Sequence, residues 1–183
     1  MKAIKALLIV DVQNDFLPGG ALGVPGGDEI IEPINQLMSH FDVVVASKDW
    51  HPSQTIHFDK WPVHCVRSTP GALFPPSLKI EHIKKVFLKG TGNSDDGYSA
   101  FESTNEDLHF YLKSQGVQQL YIVGLATDYC VLATARDAVS QSWDTYIIPE
   151  AIRAVNIQPG DGAAALTQLK EVGVQLISIE KIL

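Results

Sequence analysis

The sequence predicts an α/β fold: a parallel sheet covered on both faces by helices, in the Rossmann-like manner. Short apolar runs alternate with amphipathic stretches along the chain, as repeated strand–helix units do. The runs are continuously apolar rather than alternating, as strands buried on both faces must be. Asp11, Asp49 and Lys89 each stand at or just after the end of such a run, and open sheets of this kind bind ligands beyond the carboxyl ends of their strands.

Residues 6–12 read as the first strand, which closes on Asp11, Gln13 and Asn14. Asp28 is the expected N-cap of a helix that reaches about Met38, with Ile30, Ile31, Ile34 and Leu37 on one face. A second strand over 42–47 runs into Lys48-Asp-Trp-His51, and a long loop rich in proline and histidine covers 51–78. The third strand, 86–88, ends at Lys89 and Gly90, and a helix is expected over 102–114. After a fourth strand at 119–124, Thr127 or Asp128 is expected to cap the helix that carries Cys130. A fifth strand at 145–148, a helix at 162–171 and a last strand at 174–179 complete the pattern.

A chain of 183 residues, 45% of them apolar, suits one compact domain over 1–183. The net charge of −7 argues against a nucleic-acid partner, because neutralising phosphates needs a basic face. No apolar run is long enough to cross a bilayer, so no membrane role is expected. The N-terminus lacks the apolar core of a signal peptide. Cys65 and Cys130 are therefore expected as reduced thiols in a cytoplasmic protein.

Cys130 follows the fourth strand at a strand-to-helix turn. A thiol in a first helical turn faces unpaired N–H groups and the positive end of the helix dipole, which lower its pKa and can hold an oxyanion. A lone cysteine is more often a small core residue, the reading given to Cys65. The convergence of Cys130 with Asp11 and Lys89 reverses that preference. Asp11 then becomes a base for the thiol proton, and Lys89 a charge that steadies thiolate and carboxylate.

Asp49 and His51, two residues apart in an extended segment, point to one side. With His64 they form the preferred metal set, and His57 is either a fourth ligand or a group behind the ligands. Mixed oxygen and nitrogen donors suit zinc, iron or manganese. His40, His82 and His109 carry no comparable signal and are expected at surface or boundary positions.

Four segments carry a resemblance: Leu8-Ile-Val-Asp-Val-Gln-Asn-Asp-Phe16, Lys48-Asp-Trp-His-Pro52, Trp61-Pro-Val-His-Cys65 and Gly124-Leu-Ala-Thr-Asp-Tyr-Cys130, with Lys89-Gly90 between the last two. In these the chain resembles the nicotinamidases, within the isochorismatase-like cysteine hydrolases. The resemblance implies a three-layer αβα fold with a six-stranded parallel sheet. It implies hydrolysis of nicotinamide to nicotinate and ammonia through a cysteine thioester, in NAD salvage. It gives Asp11, Lys89 and Cys130 as the triad, and the Ala126 and Cys130 N–H groups as the oxyanion hole, Ala126 following a cis peptide bond. It places Phe16 and Trp61 around the pyridine ring. It assigns one divalent ion, zinc first with iron or manganese as alternatives, to Asp49, His51 and His64, some members having a further histidine at the place of His57. The implied partner is the small-molecule substrate, and a homo-oligomer is compatible with the resemblance. Where the family reads Gly-Thr and then Gly-Ala-Glu after the segment that ends in Cys65, this chain has Ser68-Thr-Pro-Gly-Ala-Leu73. The polar loop at 90–98 suits a lid.

Three rivals remain at this level. They are an amidase acting on another small amide such as a carbamoyl amine, a vinyl-ether hydrolase that leaves the cysteine unused, and a non-catalytic binding module. The metal set with Phe16 and Trp61 opposes the first, and the intact triad opposes the other two.

Overall fold

A computed structural model describes residues 2–183. Its strands are β1 Lys5–Val10, β2 Val43–Asp49, β3 Lys85–Lys89, β4 Gln119–Leu125, β5 Asp144–Arg153 and β6 Gln175–Leu176. Its helices are α1 Ile31–Leu37, α2 Leu108–Ser114, α3 Leu132–Ser140 and α4 Asp161–Glu171. All strand pairs are parallel, and the six strands run β3-β2-β1-β4-β5-β6. Among the described residues no helix is long and apolar enough to cross a membrane.

Two apolar layers sandwich the sheet, because successive side chains of a strand face opposite ways. Ala6, Leu8 and Val10 of β1 pack with Leu108 and Leu112 of α2, Ala135 and Ala138 of α3 and Leu169 of α4. Leu7 and Ile9 pack with Ile31, Ile34 and Leu37 of α1 on the other face. This is the three-layer αβα arrangement expected from the sequence. The chain leaves β1 toward one edge of the sheet and β4 toward the other, so the strand order reverses between β1 and β4, where such folds bind ligands.

Several boundaries differ from expectation, each for a local reason. Asp28 caps no helix: it lies inside a 3-10 turn at Gly27–Ile30, and α1 follows without a side-chain cap. The helix expected from residue 102 begins only at Leu108, capped by the Asp107 carboxylate. The intervening segment pairs instead with the edge strand β3. Asn105 accepts from the Leu88 N–H at 2.8 Å and donates to the Val86 carbonyl at 3.0 Å, which covers groups that an edge strand leaves open. Neither Thr127 nor Asp128 caps the helix after β4. Asp128 instead accepts the N–H groups of Val155 and Asn156, at 2.9 and 2.8 Å. Strand β5 is longer than expected, with an irregular register against β4 between Ile122 and Gly124. Pro149 lies on β5 within that stretch and cannot donate to a ladder. The last strand shrinks to Gln175–Leu176 and a 3-10 turn takes over at Ile179–Lys181.

Candidate active site

Asp11, immediately after β1, is fully buried and has a positive φ of 49°. That backbone turn swings its carboxylate across the strand ends. Oδ1 accepts the Ser47 hydroxyl at 2.7 Å. Oδ2 lies 2.7 Å from Lys89 Nζ, yet accepts no aligned hydrogen bond. The contact is therefore an ion pair that leaves a lone pair of Oδ2 free.

Lys89 ends β3 and is completely buried. Its ammonium reaches Asp49 Oδ1 at 2.5 Å, the Gly97 carbonyl at 2.6 Å and Cys130 Sγ at 3.5 Å. One cation thus touches the acid, the thiol and a carboxylate of the histidine cluster. Burial alone would lower the Lys89 pKa, but Asp11 and Asp49 hold it well above its ordinary value. Burial would raise Asp49, but Lys89 beside it holds that carboxyl well below the usual range.

Cys130 sits in a wide, π-helical turn at Thr127–Val131, ahead of α3. The Ala126 carbonyl takes the N–H groups of both Tyr129 and Val131, at 3.1 and 3.0 Å, and the Leu125–Ala126 peptide is cis. Glycine is required at Gly124, because a Cβ there would lie 2.1 Å from the Val10 carbonyl oxygen. The expectation of a depressed thiol pKa needs correction. Burial pushes the Cys130 thiol well up, and Asp11 and Asp49 add to this while Lys89 opposes it. The resting group is a thiol, so a base must take its proton. Burial likewise raises Asp11, with Lys89 opposing, which makes it a better proton acceptor.

The histidines form a second cluster. Atoms of His51, His57 and His64 that could hold a metal ion lie within 4.8 Å of one another. The Nδ1 atoms of His51 and His64 face the carbonyls of Gly90 and Pro62, at 2.9 and 2.6 Å. Nδ1 of His57 faces Asp95 Oδ1 at 3.0 Å. Carbonyls and carboxylates only accept, so each Nδ1 carries the hydrogen and each Nε2 has a bare lone pair. Asp49 Oδ2 lies 3.5 Å from His51 Nε2 and 3.7 Å from His64 Nε2, and His51 Nε2 is buried without a partner. In the neutral form each ring turns an accepting Nε2 toward the carboxylate, an arrangement that suits a cation between them. Zinc–ligand bonds of about 2.0–2.2 Å put neighbouring ligand atoms roughly 3–4 Å apart on one ion, so this donor set fits a metal. Burial, then the neighbouring His51 and His64, push His57 below its ordinary pKa, and a neutral imidazole is the form that ligates.

Both clusters border one pocket. It encloses about 460 Å³ including its mouth, and its lining includes Phe16, Asp49, His57, Trp61, His64, Ala126 and Cys130. The expected Phe16 and Trp61 are therefore at the pocket wall. The wall also has Leu22, Val24, Tyr98, Tyr129 and Val155, which sequence reasoning did not single out. Tyr129 lay inside a recognised motif and Tyr98 at the end of the polar loop, whereas Leu22, Val24 and Val155 carry no signal that separates them from core. Cys65 is fully buried in the apolar layer that also holds the α1 side chains, and its burial pushes the thiol up. His40 and His82 are exposed and His109 half-buried, all away from the pocket.

Gly90 secures the histidine cluster. Its φ is +63°, and a Cβ there would stand 2.4 Å from His51 Cε1. Gly90→Ala is expected to cost about 1–3 kcal/mol in backbone strain alone, with His51 displaced as well. Urea unfolding of the metal-free protein measures this, and a loss below a few tenths would contradict it.

Comparison with known proteins places the chain among enzymes. The family model described as Isochorismatase domain matches residues 5–181. The nicotinamidase of Acinetobacter baylyi is 39% identical over 202 residues, covering 97% of this chain and 94% of that protein. The pyrazinamidase of Pyrococcus horikoshii, solved in complex with zinc, is 38% identical with a TM-score of 0.84, over 95% of this chain and 98% of that one. PnC1 from L. infantum, solved in complex with nicotinate, is 34% identical with a TM-score of 0.92, over 99% and 96% of the two chains.

Proposed function

The chain belongs to the isochorismatase-domain family, and from that premise we propose that it is a nicotinamidase, hydrolysing nicotinamide to nicotinate and ammonia through a thioester on Cys130. The observation that carries this reading is one largely apolar pocket bordered both by Cys130, with Lys89 in contact behind it, and by residues of the metal-fitting donor cluster. Such a pocket suits a flat ring with a ligating atom on one side and a cleavable amide on the other. The A. baylyi relative carries the same activity in its name.

Asp11 Oδ2 takes the Cys130 proton as the sulfur adds to the amide carbon. The oxyanion is met by the N–H groups of Ala126 and Cys130. Asp11 returns the proton to the departing nitrogen, so the C–N bond breaks and ammonia leaves a thioester behind. Asp11 then takes a proton from water as its oxygen adds to the thioester carbon. The C–S bond breaks, the sulfur recovers the proton, and the acid is released, giving up its remaining proton to solvent or ammonia as nicotinate. Lys89 stays charged throughout and balances whichever of Asp11 or Cys130 is anionic. Phe16 and Trp61 confine the ring between them.

Asp49, His51, His57 and His64 would hold the divalent ion, zinc by the chemistry of the donors and by likeness to the zinc-bound P. horikoshii protein. A zinc ion there supplies a Lewis acid that a pyridine nitrogen can ligate. His57 counts as a full ligand in this reading, because its Nε2 is bared in the same way as the others.

Benzamide, which has the shape of nicotinamide without the ring nitrogen, is the discriminating substrate. It is expected to react with a kcat/KM at least about a hundredfold lower, since positioning can be worth several kcal/mol. Chelation should remove most of that preference. Ammonia release from both amides, with and without metal, tests this. Equal turnover of the two by zinc-loaded enzyme would exclude ring-nitrogen recognition and favour another small amide.

A further inference from the structure

A carboxylate outside the expected site joins its two halves. Asp95 lies on the polar loop 90–98, which folds over the pocket. Its Oδ1 faces His57 Nδ1 at 3.0 Å and accepts the Tyr98 hydroxyl at 2.8 Å. The Tyr98 oxygen in turn accepts the Trp61 indole N–H at 3.0 Å. The outer oxygen, Oδ2, pairs with the exposed ammonium of Lys60. The loop is held down independently, with Asn93 Oδ1 accepting the Ile56 N–H at 2.9 Å and the Gly97 carbonyl accepting from Lys89. Asp95 thus presents one oxygen to both the His57 ring and the Tyr98 hydroxyl.

We propose that Asp95 is the positioning residue that sets the metal ligand His57 and the ring wall Trp61 from one carboxylate. This rests on the reading of the histidine cluster as a metal site and of Trp61 as a wall for the substrate ring. The Nδ1–H to Asp95 contact selects the tautomer whose Nε2 faces the cluster, and it holds the ring plane, as carboxylates behind metal-bound histidines do. The second branch, through Tyr98, fixes the indole edge-on against Tyr129, with ring centres 5.0 Å apart. A shift of Asp95 therefore moves both ends of the pocket together. Lys60 shields the outer oxygen but reaches neither end, so its exposed ion pair should matter little.

The test uses the full chain, with zinc affinity read by competition against a chromogenic chelator and with steady-state kinetics on nicotinamide. Asp95→Ala is expected to weaken zinc about 10- to 100-fold and to raise KM. Asp95→Asn keeps one acceptor oxygen and should recover part of the zinc affinity. Tyr98→Phe should bind zinc as the parent does while raising KM, because it cuts only the branch to Trp61. Lys60→Ala should change neither quantity by more than about twofold. Parental zinc affinity in Asp95→Ala would overturn the proposal, as would equal zinc loss in Tyr98→Phe and Asp95→Ala, or a parent that binds no zinc. The zinc measurements need no substrate. A parent that binds zinc and releases no ammonia from nicotinamide would therefore sink the substrate assignment and leave the role of Asp95 to be judged on its own.

Discussion

Cys130→Ala is expected to lower kcat for nicotinamide by roughly a million-fold, the scale on which an enzyme loses its covalent nucleophile. The sulfur stands within 3.5 Å of Lys89 Nζ and borders the same pocket as the donor cluster, and no other thiol reaches that pocket. Cys65 is the natural control: it is fully buried and lines no part of the cavity. Cys65→Ala should retain most activity, with only a packing loss in stability. Ammonia release by both variants, with circular dichroism to verify folding, reads the contrast. Substantial turnover by Cys130→Ala would contradict covalent catalysis.

Asp11→Asn is the second large effect, expected to lower kcat by roughly a thousand- to ten-thousand-fold. The amide keeps the shape of the carboxylate and can still accept the Ser47 hydroxyl, but it cannot receive the thiol proton. Because burial and the two neighbouring carboxylates hold Cys130 as a thiol, losing the base stops attack rather than slowing release. The fold and the metal cluster should survive, since Lys89 remains paired with Asp49 at 2.5 Å. Replacing Lys89 would be a poorer probe. It would leave two buried carboxylates facing each other, and breaking such a buried network costs several kcal/mol whatever the chemistry. The measurement is kcat for Asp11→Asn together with its zinc content. Near-parental kcat would place the proton shuttle elsewhere.

Strand positions were legible from apolar runs because both faces of the sheet are covered, and Leu7, Leu8, Ile9 and Val10 are all fully buried. Helix starts were less legible, since capping residues have competing partners. Asp128 looks like a cap in sequence, yet its carboxylate holds the chain after β5. The Asn105 segment looks helical but pairs with an edge strand. At the site, Asp11, Asp49, Lys89 and Cys130 could be found because each stands at or after the end of a strand, and strand ends meet at one edge of a parallel sheet. Asp95 and Tyr98 could not: their roles depend on how one loop folds back over another. The pKa direction of Cys130 was misjudged for a related reason. The turn that carries it is π-helical and precedes α3, so no regular first helical turn stands behind the thiol, and burial beside Asp11 and Asp49 decides the sign.

The claim that a thioester forms on Cys130 is tested most directly by trapping it. Zinc-loaded enzyme is mixed with nicotinamide, quenched in acid during the first turnovers and digested for mass spectrometry. The peptide bearing Cys130 should carry a nicotinoyl group that disappears once substrate is exhausted, while the peptide bearing Cys65 stays unmodified. Rapid ammonia release with no adduct on Cys130 at any quench time, combined with persisting hydrolysis by Cys130→Ala, would contradict it.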